Sequence, residues 1–256
     1  MTDMKASLWD RVIWSGVYCK FSDVKGEEGF SESEKWLDKQ LVKVSGARDR
    51  LNTIDSISDL AQTQDYVLFS YVVSMHTIRK DSPVRILDFG GGLACTYLPL
   101  IAMLPDSSLI EYVIVENTEI CDEGNKFFDL DKRITFKTDI PEFDKFDIVH
   151  AGSSMHYVDD WIGCLERLSS LNATWLIFAD LPAGDIETFV TTQHYYGRKI
   201  PVRFWNIHEF ISNVQQFGYN LAMKSRYKSD YLEEMYLFDE KYKLNYFSQL
   251  VFRKDN

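Results

Sequence analysis

A short apolar run followed by a glycine turn constrains the fold of this chain more than any other feature. Residues 84–95 are Val-Arg-Ile-Leu-Asp-Phe-Gly-Gly-Gly-Leu-Ala-Cys, a pattern typical of a buried strand, a tight turn and a helix start. Glycines let the backbone turn sharply and approach a ligand where a Cβ would collide. The amides of the turn and of the helix start favour a negatively charged group. The segment predicts a ligand-binding loop at residues 88–94.

The residues after this loop alternate between short apolar runs and helical stretches. The pattern predicts strands at 112–115, 134–137, 146–151 and 174–179, and helices near 94–104, 121–128 and 161–171. Such alternation indicates crossover units and a parallel sheet. Residues 220–227 and 244–253 are predicted to be strands without a proper helix between them, so the sheet should end in a hairpin. Pro99 lies early in the first of these helices, which is therefore kinked or begins late.

The first part of the chain has a different character. Trp14, Tyr18, Phe21 and Trp36 place aromatic side chains among charges and glycines, which favours short helices and loops over the core, or a lid. Residues 56–80 have apolar residues at helical spacing, and this helix should end before Pro83. We therefore expect an N-terminal extension at residues 1–55 and an α/β domain at residues 56–256.

Composition narrows the classes of protein and of partner. The 256 residues carry a net charge of −11 at pH 7 without a dense Lys/Arg run, which argues against nucleic acid as the main partner. The longest apolar stretch, at residues 66–78, is too short to span a bilayer. The four cysteines are scattered and form no C-x-x-C pair, as expected of reduced thiols. With no secretory segment at the N-terminus, we expect a cytoplasmic protein.

Two acidic residues follow the loop at informative positions. Glu116 closes the run Tyr-Val-Ile-Val, and an acidic side chain at a strand end about 20 residues or more beyond a glycine turn can accept both hydroxyls of a ribose. A solvated strand end is the alternative for Glu116 alone, but its distance from Gly92 favours the ribose. Asp139 and Ile140 come at the end of the next predicted strand.

In this order, these elements resemble class I S-adenosylmethionine-dependent methyltransferases. The loop is similar to the pattern D-x-G-x-G-x-G, with Asp88, Gly90 and Gly92 in place and Ala94 at the last glycine. The run at residues 150–157, His-Ala-Gly-Ser-Ser-Met-His-Tyr, extends the resemblance.

One family within that class is more similar than others. Residues 14–18, 21–23 and 189–194 resemble the methyltransferases of bacterial surface-polysaccharide gene clusters. The resemblance implies a Rossmann-like, mostly parallel sheet with a C-terminal antiparallel hairpin, and S-adenosylmethionine as cofactor. It implies that Asp88 faces the cofactor's ammonium group and that Asp139 receives the adenine amino group beside Ile140. The expected cofactor-binding residues are Asp88, Gly90, Gly91, Gly92, Glu116, Asp139, Ile140 and Ser153.

A methyl acceptor that carries a hydroxyl benefits from a general base, and histidine is the usual choice. Of the five histidines, His156 follows a central strand on the edge of the sheet where ligands bind in open α/β folds. His194 lies in a polar, aromatic segment that is expected to overhang the same pocket. Packing beside the cofactor is the alternative for His156, and a surface position is the alternative for His194. We expect His76, His150 and His208 to serve structure.

The cations after His194 suggest an acidic acceptor. Arg198, Lys199 and Arg203 could hold a phosphate, a nucleotide-sugar diphosphate or an acidic sugar, although each alone could be a solvated charge. Asp159 and Asp160 precede a predicted helix and indicate an N-cap, so no metal site is assigned. The expected substrate-binding residues are Tyr18, Tyr157, Tyr195, Arg198 and Arg203.

The predicted function is O-methylation of a sugar, a surface-polysaccharide precursor or a related small acceptor. A nicotinamide-dependent oxidoreductase would explain the glycines and Glu116, but not Asp139 or the terminal hairpin, and the chain shows no Tyr-x-x-x-Lys pair placed for hydride chemistry. A non-catalytic binding module that retains the fold is the third possibility.

Overall fold

The computed structural model describes residues 13–26, 34–53, 67–78, 82–104, 106–142, 144–228, 232, 235 and 237–255. The strands are β1 (Trp14–Tyr18), β2 (Val84–Phe89), β3 (Ile110–Val115), β4 (Ile134–Lys137), β5 (Ile148–Gly152), β6 (Trp175–Leu181), β7 (Ala183–Gly184), β8 (Phe189–Tyr195), β9 (Arg198–Asn206), β10 (Tyr219–Tyr227) and β11 (Phe247–Lys254). The α-helices are α1 (Glu34–Thr53), α2 (Val67–Thr77), α3 (Tyr97–Met103), α4 (Thr118–Phe127), α5 (Trp161–Ser170) and α6 (Ile207–Gln215). Short 3₁₀ helices cover Phe21–Asp23, Met155–Tyr157 and Glu240–Tyr242. Within these ranges, none of the helices is both long enough and apolar enough to cross a bilayer.

Seven strands form the main sheet in the order β10-β11-β6-β5-β2-β3-β4. Strands β2 to β6 pair in parallel with one another. Strand β11 lies between β6 and β10 and runs antiparallel to both. The predicted parallel sheet with a C-terminal hairpin is therefore confirmed.

The core lies on both faces of this sheet. Ile86 and Leu87 are neighbours in β2 and are both fully buried, because successive side chains of a strand point to opposite faces. Ile86 packs in a cluster with residues of α1 to α4, and Leu87 packs in a cluster with residues of α5 and α6. Burying each such side chain contributes about 1.5–3 kcal/mol, so the apolar runs drive the formation of the central strands.

Helix positions agree with the sequence pattern in part. Helix α2 matches the second half of the helix predicted at residues 56–80, and residues 56–66 lie outside the described part of the chain, as does the boundary expected at residue 55. Helix α3 begins at Tyr97, so Pro99 lies in its first turn, where proline is tolerated. Asp160 is the N-cap of α5 and accepts the Gly163 N–H at 3.0 Å. The pattern did not predict β8, β9 or α6.

A second sheet of four strands has the order β1-β8-β9-β7. Strand β1 runs antiparallel to β8, so the expectation of helices and loops is wrong for Trp14–Tyr18. Trp14 is 2% exposed and meets the Phe204 ring edge-on at 5.1 Å, which gives β1 an apolar anchor. The backbone N–H of Trp205 donates to the carbonyl of Pro182 at 2.9 Å, and Pro182 directly follows β6. This hydrogen bond ties the second sheet to the carboxyl end of the main sheet.

Candidate active site

A cavity of about 420 Å³ lies at the carboxyl ends of the parallel strands. Its lining comes from the ends of β2, β5 and β6, from the loops after β2, β3 and β5, from α1, and from β1 and β8 of the second sheet. Ligands of open α/β sheets bind outside the carboxyl ends of the strands. This cavity is therefore the candidate active site.

The glycine turn forms one wall of the cavity. Gly90 and Gly92 have φ angles of +69° and +56°, which glycine adopts without steric cost. A Cβ on Gly90 would lie 2.4 Å from the Ser154 Cβ, so no larger residue fits there. Ala94, at the last position of the glycine pattern, also has a positive φ, of 61°. The turn thus keeps bare backbone facing a ligand-sized space.

Glu116 stands beside this turn, one residue after β3. Its Oε1 accepts the Gly92 N–H at 3.2 Å and its Oε2 accepts the Asn117 N–H at 3.1 Å. Burial raises the pKa of Glu116 above its ordinary value, although the two backbone N–H groups act in the opposite direction. The carboxylate is therefore fixed at the cavity wall, where the sequence predicted a ribose contact.

Asp88 lines the cavity from below the turn and anchors a buried network. It is 1% exposed, with Oδ1 at 2.8 Å from His150 Nδ1, and Tyr112 donates to Oδ2 at 2.6 Å. The Phe69 ring stacks on His150 with centroids 4.2 Å apart. Both carboxylate oxygens thus have protein partners, and a contact between Asp88 and an ammonium group stays a prediction.

Asp139 and Ile140 are not brought to this cavity. They line a separate, shallower depression beyond β4, together with Lys137 and Thr138. Asp139 is exposed, whereas Ile140 is buried at 7% exposure. Their expected contacts with adenine stay predictions.

His156 lines the cavity from the 3₁₀ helix after β5. It is 5% exposed, its ring lies 4.2 Å from that of Tyr157, and its Nδ1 has no hydrogen-bond partner among the residues that the structure describes. Burial lowers the pKa of His156 to about 3. The imidazole is therefore neutral at physiological pH and is a weak proton acceptor.

His194 does not reach the cavity, contrary to the expectation from sequence. Its neighbours in β8, Gln193 and Tyr195, both line the cavity, and alternate residues of a strand share a face. The His194 side chain therefore points to the other face, where its Nε2 lies 2.7 Å from Ser15 Oγ. Burial, followed by the charge of Lys199, lowers its pKa.

Of the expected substrate-binding residues, some line the cavity and others lie outside it. Tyr157 and Tyr195 line the cavity, and the Tyr157 hydroxyl donates to Gln193 Oε1 at 2.8 Å. Tyr18 and Arg198 are absent from its lining.

Arg203 is also absent from the lining, because it is held elsewhere. Its Nη2 donates to the Asp159 carbonyl at 3.1 Å, and its guanidinium lies over the Phe21 ring at 5.0 Å. Burial lowers the pKa of this guanidinium below its ordinary value. The predicted group of cations at the acceptor pocket does not form.

The sequence analysis missed the contribution of α1. Trp36, Gln40 and Lys43 line the cavity, and their spacing places them on one face of the helix. Trp36 and Gln40 both come within 3.7 Å of the position that a Cβ on Gly92 would take. This spacing was the signal that would have placed α1 over the glycine turn.

The sequence analysis also missed Asp180, near the end of β6. Asp180 and Ser153 both line the cavity, and Ser153 Oγ donates to Asp180 Oδ2. Both residues have left-handed backbones, with φ angles of 50° and 53°. An acidic residue ending a buried apolar run was the available signal, as it was for Glu116.

Comparisons with solved structures found proteins of similar fold. Over 91% of this chain and 94% of the other, the structure is similar to the 1,6-didemethyltoxoflavin-N1-methyltransferase of Burkholderia thailandensis, with a TM-score of 0.52 at 14% identity. Over 85% and 97%, it is similar to magnesium protoporphyrin IX methyltransferase of Synechocystis, with a TM-score of 0.51 at 12% identity. The chain has the fold of class I S-adenosylmethionine-dependent methyltransferases. A third such enzyme, from Clostridium acetobutylicum, matches 84% of this chain and 99% of its own, with a TM-score of 0.50 at 14% identity. Neither a protein-family model nor a curated protein sequence matches the chain.

Proposed function

We propose that this protein is an S-adenosylmethionine-dependent methyltransferase that acts on a small molecule. The observation that carries the proposal is the shared cavity of the glycine turn and Glu116, in a chain whose fold is similar to that of solved methyltransferases. The glycine turn suits the close approach of the methionine moiety, because Gly90 and Gly92 place no side chain at the cavity wall. Glu116 suits the two ribose hydroxyls. When bound, the cofactor supplies a methyl group on a positively charged sulfur.

The residues around the cavity then hold the acceptor against that methyl group. Much of the acceleration in such a displacement comes from proximity and orientation. Trp14 and Trp36 both line the cavity, from β1 and α1, and their large apolar rings exclude water from the reacting atoms.

His156 serves this site by contact rather than as the base. The sequence predicted a general base there, and the residue does line the cavity. A pKa of about 3 leaves it too weak to take a proton efficiently near neutral pH. We therefore propose that it packs against the bound molecules or accepts a hydrogen bond from them.

The acceptor is a small molecule. The neighbours from Burkholderia and Synechocystis are named for 1,6-didemethyltoxoflavin and magnesium protoporphyrin IX, which supports an acceptor of this size. O-methylation of a sugar or a surface-polysaccharide precursor stays a prediction. A phosphorylated form of that acceptor has no support, because Arg198 and Arg203 are absent from the cavity lining.

Calorimetry tests the proposal. The purified protein is titrated separately with S-adenosylhomocysteine and with NAD, and we expect it to bind the first and not the second. Binding of S-adenosylhomocysteine should also raise the melting temperature, because the ligand binds the folded state only. Binding of NAD alone would instead favour a nicotinamide-dependent oxidoreductase, and binding of neither would overturn the cofactor assignment.

A further inference from the structure

The cavity has two halves on either side of β5. The glycine turn and Glu116 follow β2 and β3, whereas Asp180 lies on β6, on the other side of β5. The second sheet is tied to the main sheet at Pro182, just after Asp180, and covers this side. We call this side the acceptor half; its residues are Trp14, Ser153, Tyr157, Asp180, Gln193 and Tyr195.

Asp180 is held in a defined position in the acceptor half. Both Asp180 and its hydrogen-bond donor Ser153 have positive φ angles, of 50° and 53°. A positive φ is uncommon in residues other than glycine and concentrates at functional sites. The two left-handed turns bring a carboxylate from β6 and a hydroxyl from the end of β5 together at the cavity surface.

The rest of the acceptor half is aromatic. Trp14, Tyr157 and Tyr195 lie in its wall, and Tyr227 and Phe247 extend the aromatic lining toward β10 and β11. Its polar side chains are largely paired with each other, since Tyr157 donates to Gln193 and Ser153 to Asp180. A site of this kind suits a ring that stacks on aromatic side chains and makes a few oriented polar contacts.

The charges of the cavity disfavour an anionic acceptor. Among the described residues that line the cavity, Lys43 is the one lysine or arginine. It lies on α1, on the same face as Trp36 and Gln40, which approach Gly92. A phosphate in the acceptor half would therefore meet Asp180, and the described part of that half's lining has no guanidinium or ammonium group to balance the two like charges, which repel.

From this geometry, and on the basis of the proposed function, we propose that Asp180 is the catalytic carboxylate for an uncharged, ring-shaped acceptor. Asp180 accepts a hydrogen bond from the acceptor's O–H or N–H and takes its proton. The acceptor oxygen or nitrogen forms a bond to the methyl carbon while the carbon–sulfur bond breaks, and that electron pair stays on sulfur. The products are the methylated acceptor and S-adenosylhomocysteine, and Asp180 returns the proton to water.

The test compares Asp180→Asn with Asp185→Asn, a matched change at an exposed aspartate outside the cavity. Methyl transfer is measured with 2-naphthol and methyl glucoside as uncharged acceptors, and with glucose 1-phosphate as the anionic counterpart. Binding of each acceptor to the protein loaded with S-adenosylhomocysteine is measured by calorimetry. We expect binding and transfer with an uncharged acceptor, aromatic or sugar, and neither with glucose 1-phosphate.

The base role predicts a dependence on the acidity of the acceptor. Asp180→Asn should slow transfer to the weakly acidic 2-naphthol by about 10²–10⁴-fold, while its affinity for S-adenosylhomocysteine stays close to that of the wild type. The Asp185→Asn variant should transfer the methyl group at close to the wild-type rate. With 4-nitrophenol, which loses its proton readily, the deficit should shrink to about tenfold or less.

Three results would overturn the assignment. The first is an Asp180→Asn deficit that is absent, or that is equal for 2-naphthol and 4-nitrophenol. The second is transfer to glucose 1-phosphate as fast as to methyl glucoside. The third is no transfer to any uncharged acceptor by a protein that binds S-adenosylhomocysteine. A protein that does not bind S-adenosylhomocysteine would instead refute the proposed function.

Discussion

Replacing Glu116 by glutamine tests the cofactor site at a side chain whose two carboxylate oxygens are each held by a backbone N–H group. An ionised carboxylate offers about four acceptor positions, and the Gly92 and Asn117 N–H groups occupy two of them. The remaining two match the two hydroxyls of a ribose. Glutamine keeps one oxygen and places a donor group where the second oxygen was, so at least one charged hydrogen bond is lost.

The expected cost follows from that count. A hydrogen bond to a charged group is worth about 1.5–3 kcal/mol, which corresponds to about 10- to 160-fold in affinity. Calorimetric titration with S-adenosylhomocysteine measures it, with Glu119→Gln as control, because Glu119 is exposed in the first turn of α4. Equal affinities of the Glu116→Gln variant and the wild type would refute the role of Glu116.

The same variant has a pH signature. Burial raises the pKa of Glu116, so the wild-type affinity should fall as the pH drops through that raised value, and the glutamine variant should show no such fall. Folding has the opposite sign: a raised carboxyl pKa means that the folded state holds the proton more tightly than the unfolded state. This contribution to stability is therefore present at low pH and lost as the pH rises through the folded-state pKa.

Three further predictions concern other parts of the molecule. Trp14→Ala should lower the free energy of unfolding in urea by about 3–5 kcal/mol, because Trp14 is 2% exposed; a loss below about 1 kcal/mol would show that β1 is not part of the core. The ring signals of His156 should not titrate in an NMR series between about pH 5 and 8, because its pKa is about 3. Its contribution to the free energy of unfolding should be lost as the pH falls below the ordinary pKa of histidine. An NMR titration midpoint near that ordinary pKa would contradict the burial of His156. Asp88→Asn weakens the acceptor of His150 and should cost about 1–3 kcal/mol, seen as a lower melting temperature; an unchanged one would speak against the network.

The parallel sheet was predictable because its signal is local. Strand β2 and its neighbours are buried on both faces, so each is a short continuous apolar run, and the glycine turn must follow directly. Gly90 and Glu116 could be assigned to the site for the same reason, because each directly follows the end of a predicted strand.

The second sheet was not predictable from local pattern. Strand β1 is fixed by pairing with β8, and Trp14 lies opposite Gln193 in that ladder. No sequence window contains both. The predicted position of His194 was wrong for the same reason, because β8 was not recognised as a strand. Side chains alternate along a strand, so Gln193 and Tyr195 point into the cavity and His194 points away from it.

The place of β11 has a consequence for how the chain folds. This strand follows β10 in sequence but lies between β6 and β10, so until β11 arrives, β6 presents an unpaired edge of which Leu176, Ile177 and Phe178 are the apolar centre. An exposed apolar edge is a template for pairing with other chains, and contacts that close late slow folding. Partly synthesised or truncated chains that lack β11 are therefore expected to aggregate through β6, and a short soluble peptide with the sequence of β11 should suppress that aggregation by occupying the gap.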